Sequence, residues 1–352
     1  MNVLGIESSC DETGASIVVD GQTMLSNVVA SSLELHRYYG GVVPEIAARS
    51  QIQSIIPVIE KSLHDSALNW QDIDAIAVTN GAGLGGSLIV GVMTARTLAI
   101  TKNKPLYAVN HVTGHIYANF ITNTKLAGYR LPDSQPEFPL LALIVSGGHS
   151  QLVYFEDHFK YKLLGQTRDD AIGEAFDKVA RIIGLPYPGG PSIAEIALSG
   201  NAHQFSLPKA KMAKYDFSFS GLKTAVLRLS QELIGEDYRF PSFMVSERLN
   251  SVQKANIAAS FQRIAIESVV DKSLLAFDEY RPKRFVIAGG VASNIELRHQ
   301  IETRFPIKVN YTDPKLCTDN GAMIACLGYY QAKLGVNLSD PYSLTIQPNL
   351  TM

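Results

Sequence analysis

The sequence predicts an α/β protein with a duplicated, two-lobed architecture. Strand-like and helix-like segments alternate along most of the chain, and each half opens on a hairpin with a small, polar, glycine-containing turn. At 352 residues the chain also exceeds the size at which one hydrophobic core usually keeps growing.

The elements follow in order. Residues 2–6 read as a strand, Ser8 to Gly14 as a long polar turn, and 15–19 and 23–30 as strands joined at Asp20-Gly21. Apolar spacing at Ile46, Ile52, Ile56, Ile59 and Leu63 predicts a helix over 45–63, with Pro57 set to kink it. A strand at 73–79 leads into the glycine-rich stretch Gly81 to Ser87 and a helix to about 100. Another strand, 106–109, runs into a helix over 111–120. The proline-bearing stretch 125–139 is the linker. Beyond it the opening recurs, as strand 140–145, turn Ser146 to Ser150 and strand 151–155. Helices at 170–184, 219–230 and 252–277 precede a strand at 284–288, with the loop Tyr187 to Pro191 between the first two. That strand feeds the turn Gly289 to Asn294 and a further helix. A strand at 307–311 and a helix from 319 to about 334 complete the alternation. The expected division is an N-terminal lobe 1–124, a C-terminal lobe 125–334, and a tail 335–352 returning to the N-terminal lobe.

Composition narrows the function classes. Hydrophobic residues at 46% and charged residues at 18% describe a packed globular protein rather than a disordered one. A net charge of -2 gives no whole-molecule basic field, so a polyanion must be held by local patches. The candidates are Lys102 to Lys104, Lys209 to Lys214 and Arg281 to Arg284, each of which also reads as ordinary charged surface. Cys10, Cys317 and Cys326 are scattered without CxxC spacing, which argues against a disulfide framework and a thiolate metal site. With no basic apolar leader and no run of the ~18–20 apolar residues that cross a bilayer, a cytoplasmic protein without a membrane partner is expected.

Three turns carry the first functional signal. Glycine lets backbone N–H groups approach an anion closely, as in Ser8 to Gly14 and Ser146 to Ser150, and Gly289-Gly290 aims a helix N-terminus. Each alone is a tight turn; all three at strand ends point to a ligand at the carboxyl edges of the sheets. No GxxxxGK[ST] occurs, and Gly81 to Gly86 lacks the context of a dinucleotide fingerprint. The pattern resembles instead the actin, heat-shock and sugar-kinase-like ATPase fold. Asp11 is either an acid/base group or the centre of an Asx-turn. Asp177, on a helical stretch, is by default a solvated carboxylate.

His111 and His115 lie four residues apart, one turn on the same helix face, where two imidazoles can hold one metal ion. An isolated HxxxH serves equally well as a cap or a core hydrogen-bonding pair. Val112 stands where a zinc peptidase carries its glutamate base, so the general-base motif of that class is missing. A third ligand must come from elsewhere. Asp319, after a strand and at the start of the last helix, is the candidate, with an N-cap role for Thr318 or Asp319 as the alternative. Two imidazoles and a carboxylate suit Zn2+ or Fe2+ and leave coordination positions open.

Six motifs in order then carry a specific resemblance: Glu7 to Thr13, Asn110 to His115, Val145 to His149, Gly173 to Lys178, Tyr187 to Pro191, and Cys317 to Met323. Together, across residues 2 to about 335, they resemble the tRNA N6-adenosine threonylcarbamoyltransferase family, once described as an O-sialoglycoprotein endopeptidase. The resemblance implies transfer of a threonylcarbamoyl group from threonylcarbamoyl-adenylate to N6 of adenosine 37, beside the anticodon, in tRNAs reading ANN codons. It implies His111, His115 and Asp319 as ligands of one Fe2+ or Zn2+. Ile144, Val145, Ser146, Gly147, Gly148, Asp177, Gly190 and Asn294 would contact the adenylate or a nucleotide such as ATP. Asp11 and Glu12 are the hypotheses for a general base. The implied partners are tRNA, a paralogous subunit of the TsaB type, a small ATPase of the TsaE type, and a TsaC-type synthase that supplies the adenylate. Ala82 departs from the family's usual proline, Ser150 from a frequent threonine, and residues 235–249 match no motif. The competing readings are a metallopeptidase and a non-catalytic nucleotide-binding scaffold.

Overall fold

The computed structural model describes every residue except Lys308 and Asn310. The chain forms two compact units, Met1–Pro136 with Asn310–Met352, and Glu137–Val309. Unit 1 is built on β1 (Asn2–Glu7), β2 (Glu12–Val19), β3 (Thr23–Ser31), β4 (Ala75–Gly81), β5 (Leu106–Asn110) and β6 (Asn123–Thr124). They form one sheet in the order β5-β4-β1-β2-β3-β6. Unit 2 is built on β7 (Leu140–Val145), β8 (Ser150–Asp157), β9 (Lys160–Gln166) and β10 (Arg284–Ala288), in the order β10-β7-β8-β9.

The duplication is visible in the pairing. In unit 1, β1 is antiparallel to β2, β2 to β3, and β1 is parallel to β4. In unit 2, β7 is antiparallel to β8, β8 to β9, and β7 is parallel to β10. The same four-strand unit therefore occurs twice.

Strand periodicity decides what each face of β1 does. Leu4 and Ile6 point into a core shared with Ile17, Ile76 and Val78, and with the helices Pro44–Ser66 and Gly85–Lys102. Gly5 and Glu7 point to the opposite face. There the helix Gly321–Lys333 lies so close that a Cβ on Gly5 would sit 2.2 Å from the Gly321 carbonyl oxygen. Gly328 makes the same approach to Ala77, where an added Cβ would meet the alanine methyl at 2.4 Å. Small residues on both partners let helix and sheet touch at backbone distance.

This packing sets the unit boundary apart from the sequence expectation, which carried residues up to 334 with the second lobe. The last helix belongs to unit 1. The segment after it stays on the same unit: Ser339 N donates to Leu106 O, Gln347 N to Asn80 O, and Arg96 to the carbonyls of Pro341, Tyr342 and Leu344.

Other differences are local. β9 escapes a reading by apolar runs because Lys160, Tyr161 and Lys162 face solvent. The loop expected at 187–191 turns into the helix Gly189–Ala197, and the unmatched segment contains the helix Ser242–Arg248. Pro57 lies inside an uninterrupted helix, Pro44–Ser66. The strand expected at 307–311 includes Lys308 and Asn310, which lie outside the described residues. Among the described residues no helix is long and apolar enough to cross a membrane.

Candidate metal centre

β5 ends on Asn110, whose side chain accepts from Thr113 N at 3.0 Å and caps the helix His111–Tyr117. The cap starts the helix at His111 and places His115 one turn above it. Both histidines are buried, and their Nε2 atoms lie 3.2 Å apart. Asp319 Oδ1 stands 3.2 Å from His115 Nε2 and 3.6 Å from His111 Nε2. One ligand atom from each residue falls within 4.8 Å of the other two, so the group could hold a metal ion.

Asp319 reaches this position because it does not cap the helix that follows. Asn320 does, accepting from Met323 N at 3.1 Å, which removes the alternative of a Thr318 or Asp319 cap. Burial pulls the His111 imidazole down, but Asp319 and then Glu7 outweigh it and the group is pushed up to about 9. A cation bound at these atoms would compete with that proton.

The turn carrying Asp11 and Glu12 is held from several sides. Gln51 Nε2 donates to the carbonyls of Cys10 at 2.8 Å and Glu12 at 3.1 Å. Ser87 Oγ donates to Cys10 O, Ser32 Oγ to Asp11 O, and Leu84 N to Ser9 O. The side chains it presents are acidic and close to the triad. Burial, then Asp319 and Asp11, push the Glu12 carboxyl far above the usual carboxylate range. Burial, followed by Asp11 and Asp319, also raises the Cys10 thiol, which makes it a poor nucleophile.

Unit 2 places the remaining expected residues around its own strand ends. Ile144 and Val145 are buried side chains at the end of β7. Ser146 N donates to His149 O and Ser146 Oγ accepts from His149 N, closing the turn, while a Cβ on Gly147 or Gly148 would meet nothing within 4 Å. Asp177 Oδ1 accepts from Gly189 N at 2.6 Å, at the start of the helix that carries Gly190. Asn294 caps the helix Ile295–Arg304 through Leu297 N and donates to Gln262 Oε1. Asp177 and Asn294 therefore have structural work as well as an expected ligand.

Sequence reasoning missed the residues behind the triad. Glu7, fully buried, accepts from Ser9 N and Thr79 Oγ1, and its Oε2 lies 3.2 Å from His111 Nδ1. A signal was present: a carboxylate ends the apolar run Val3 to Ile6, and a buried charge needs donors. The basic clusters are largely engaged inside their own units. Lys102 lies over Trp70, Lys209 pairs with Glu267 and Asp271, Lys214 with Glu279, and Arg284 with Glu137.

The doubled sheet and its pairing define a protein of the actin, heat-shock and sugar-kinase-like ATPase fold, with a metal-competent His-His-Asp group at the strand ends of one unit. The fold is shared with component A of the (R)-2-hydroxyglutaryl-CoA dehydratase of Acidaminococcus fermentans, at TM-score 0.51 and 17% identity, over 95% of this chain and 99% of that one. A model of the family "TsaD: tRNA N6-adenosine threonylcarbamoyltransferase" matches residues 23–326. Thermomicrobium roseum has a relative named tRNA N6-adenosine threonylcarbamoyltransferase that is 48% identical over 345 residues, covering 96% of this chain and 93% of the relative. A Dictyoglomus turgidum relative of the same name is 46% identical, covering 100% of this chain and 99% of its own length. The chain belongs to the tRNA N6-adenosine threonylcarbamoyltransferase family.

Proposed function

We propose that this chain transfers the threonylcarbamoyl group of threonylcarbamoyl-adenylate to N6 of adenosine 37 in tRNAs reading ANN codons. The observation that carries the reading is the His111, His115 and Asp319 cluster in a chain of this family. These three residues would hold one Fe2+ or Zn2+, both of which suit two imidazoles and a carboxylate. Such an ion supplies Lewis-acid polarisation of the adenylate's carbonyl or phosphate oxygens.

The remaining work falls to the chain's own groups. The rigid turn at Ser8 to Glu12 orients Asp11 and Glu12 beside the triad. The adenosine amine needs a proton acceptor only as it becomes cationic during attack, and Glu12, in its ionised form, is the first candidate for that role. Asp11 is the second candidate for that role. In unit 2 we assign contacts with the adenylate, or with ATP, to the backbone of Ile144 to Gly148 and to Asp177, Gly190 and Asn294. The open glycines at 147, 148 and 190 support this assignment, since nothing crowds an approaching phosphate there.

Since most cations in the basic clusters are already paired, tRNA affinity calls for helpers. We propose a paralogous TsaB-type subunit and a TsaE-type ATPase, with the adenylate supplied by a TsaC-type synthase. A tRNA substrate and three cysteines scattered without CxxC spacing fit the cytoplasm. The test is reconstitution with synthesised threonylcarbamoyl-adenylate, unmodified tRNA and those partners, read by nucleoside mass spectrometry. Modified adenosine is expected with wild type and its loss with His111→Ala; no modification under any partner set would overturn the reading.

A further inference from the structure

Two histidines of the triad look alike in sequence and differ in what stands behind them. His115 Nδ1 is buried with no hydrogen-bond partner among the described residues. His111 Nδ1 lies 3.2 Å from Glu7 Oε2 and 3.0 Å from Ser9 Oγ. Glu7 is itself locked: Ser9 N donates to Oε1 at 2.5 Å and Thr79 Oγ1 to Oε2 at 2.6 Å. Glu7, Ser9 and Thr79 are all at most 1% exposed, so water does not substitute for these bonds.

We infer that Glu7 is the positioning residue of the metal centre, holding the proton of His111 on Nδ1 so that Nε2 offers its lone pair to the ion. This rests on the reading of the triad as a metal site. A carboxylate only accepts, so the ring nitrogen facing it carries the hydrogen and the opposite nitrogen is left to ligate. Because the Oε2 lone pairs are divided between Thr79 and His111, the rotation of the ring is set as well as its tautomer. The strand dictates the placement: Glu7 is the last residue of β1, on the face turned towards the helix Gly321–Lys333 rather than into the core of Leu4 and Ile6.

The test is metal affinity of the full chain, read by competition of Zn2+ against a chromophoric chelator, with the ligand-field spectrum of the Co2+ form as a second readout. Glu7→Gln keeps the shape but must turn an amide N–H2 towards either Ser9 N–H or His111 Nδ1. It is expected to weaken Zn2+ binding about 10–100-fold and to alter the Co2+ spectrum. Thr79→Val is close in shape and leaves Glu7 present but less firmly held; it is expected to weaken binding about threefold to tenfold, less than loss of the carboxylate itself. It also covers the case in which Glu7→Gln does not fold. A lowered melting temperature of the apoprotein with unchanged Zn2+ affinity and Co2+ spectrum in both variants would show a merely structural carboxylate and overturn the inference. If wild type binds Zn2+ no better than His111→Ala, the metal reading itself fails. If wild type binds Zn2+ but makes no modified adenosine, only the proposed reaction fails.

Discussion

The turn between β1 and β2 and the turn between β7 and β8 stand at equivalent places in sheets of the same pairing, yet they are built in opposite ways. The first is packed. Ser8 and Ser9 are buried, its carbonyls are taken up by Gln51, Ser87, Ser32 and Leu84, and a Cβ on Gly83 would lie 2.5 Å from Ser9 O. The second closes on itself through Ser146 and His149 and leaves Gly147 and Gly148 open. One hairpin has become the rigid support of a charged constellation, and its duplicate has kept bare backbone that an anion can approach. A shared topology thus fixes where a ligand edge lies, while the side chains around each turn decide its chemistry.

The comparison can be broken at the triad first. Asp319→Ala would remove a proposed ligand rather than a support, so metal affinity should fall by more than the ~100-fold upper range for residues that only orient a ligand, and metal content after gel filtration should be near zero. Retention of the ion would mean that the packed turn serves some other charge.

Next in size is the backbone contact beneath the first turn. Gly5→Ala forces a methyl against the Gly321 carbonyl and should destabilise unit 1 by roughly 2–4 kcal/mol, seen in denaturant unfolding followed by far-UV signal. Gln51→Ala strips a donor from two part-buried carbonyls and should cost about 0.5–1.5 kcal/mol in the same assay.

The pH profile gives a finer test. His111 is raised above its ordinary 6.5 to about 9, so its contribution to apoprotein stability is fully present below pH 6.5 and is lost as pH rises through 9. A metal must displace that proton. Affinity for Zn2+ should therefore rise across the same window, by up to about tenfold per pH unit for each proton released. A flat profile measured by competition would remove the proton from the account.

The smallest effect on stability belongs to the open turn. Gly147→Ala should change unfolding free energy by no more than about 0.5 kcal/mol, since nothing lies within 4 Å of the new methyl. Its nucleotide affinity, followed by calorimetry, should nonetheless drop, because the methyl stands where the anion would approach. A large loss of stability with intact nucleotide binding would reverse the contrast between the two turns.

How much of this was legible in the chain itself depends on range. The spacing of His111 and His115, the apolar runs of β1, β4, β7 and β10, and the glycine turns are local patterns, and local patterns survive in a linear reading because helix and strand periods impose them. Asn110 and Asn320 are caps that short-range chemistry explains, although at the second helix the reading weighed a cap only at Thr318 or Asp319, as the alternative to ligation by Asp319. The resemblance of the motifs named the family.

Other matters were settled only by packing. The sequence does not say that Gly321–Lys333 crosses back onto Gly5 and Gly14, since that depends on small residues meeting across more than 300 positions of chain. The association of Asp319 with the histidines follows from that crossing. Glu7 behind His111 and the bare Nδ1 of His115 are equally tertiary. A buried carboxylate or imidazole announces in sequence only that it needs a partner, and the identity of the partner is a property of the folded surface that meets it.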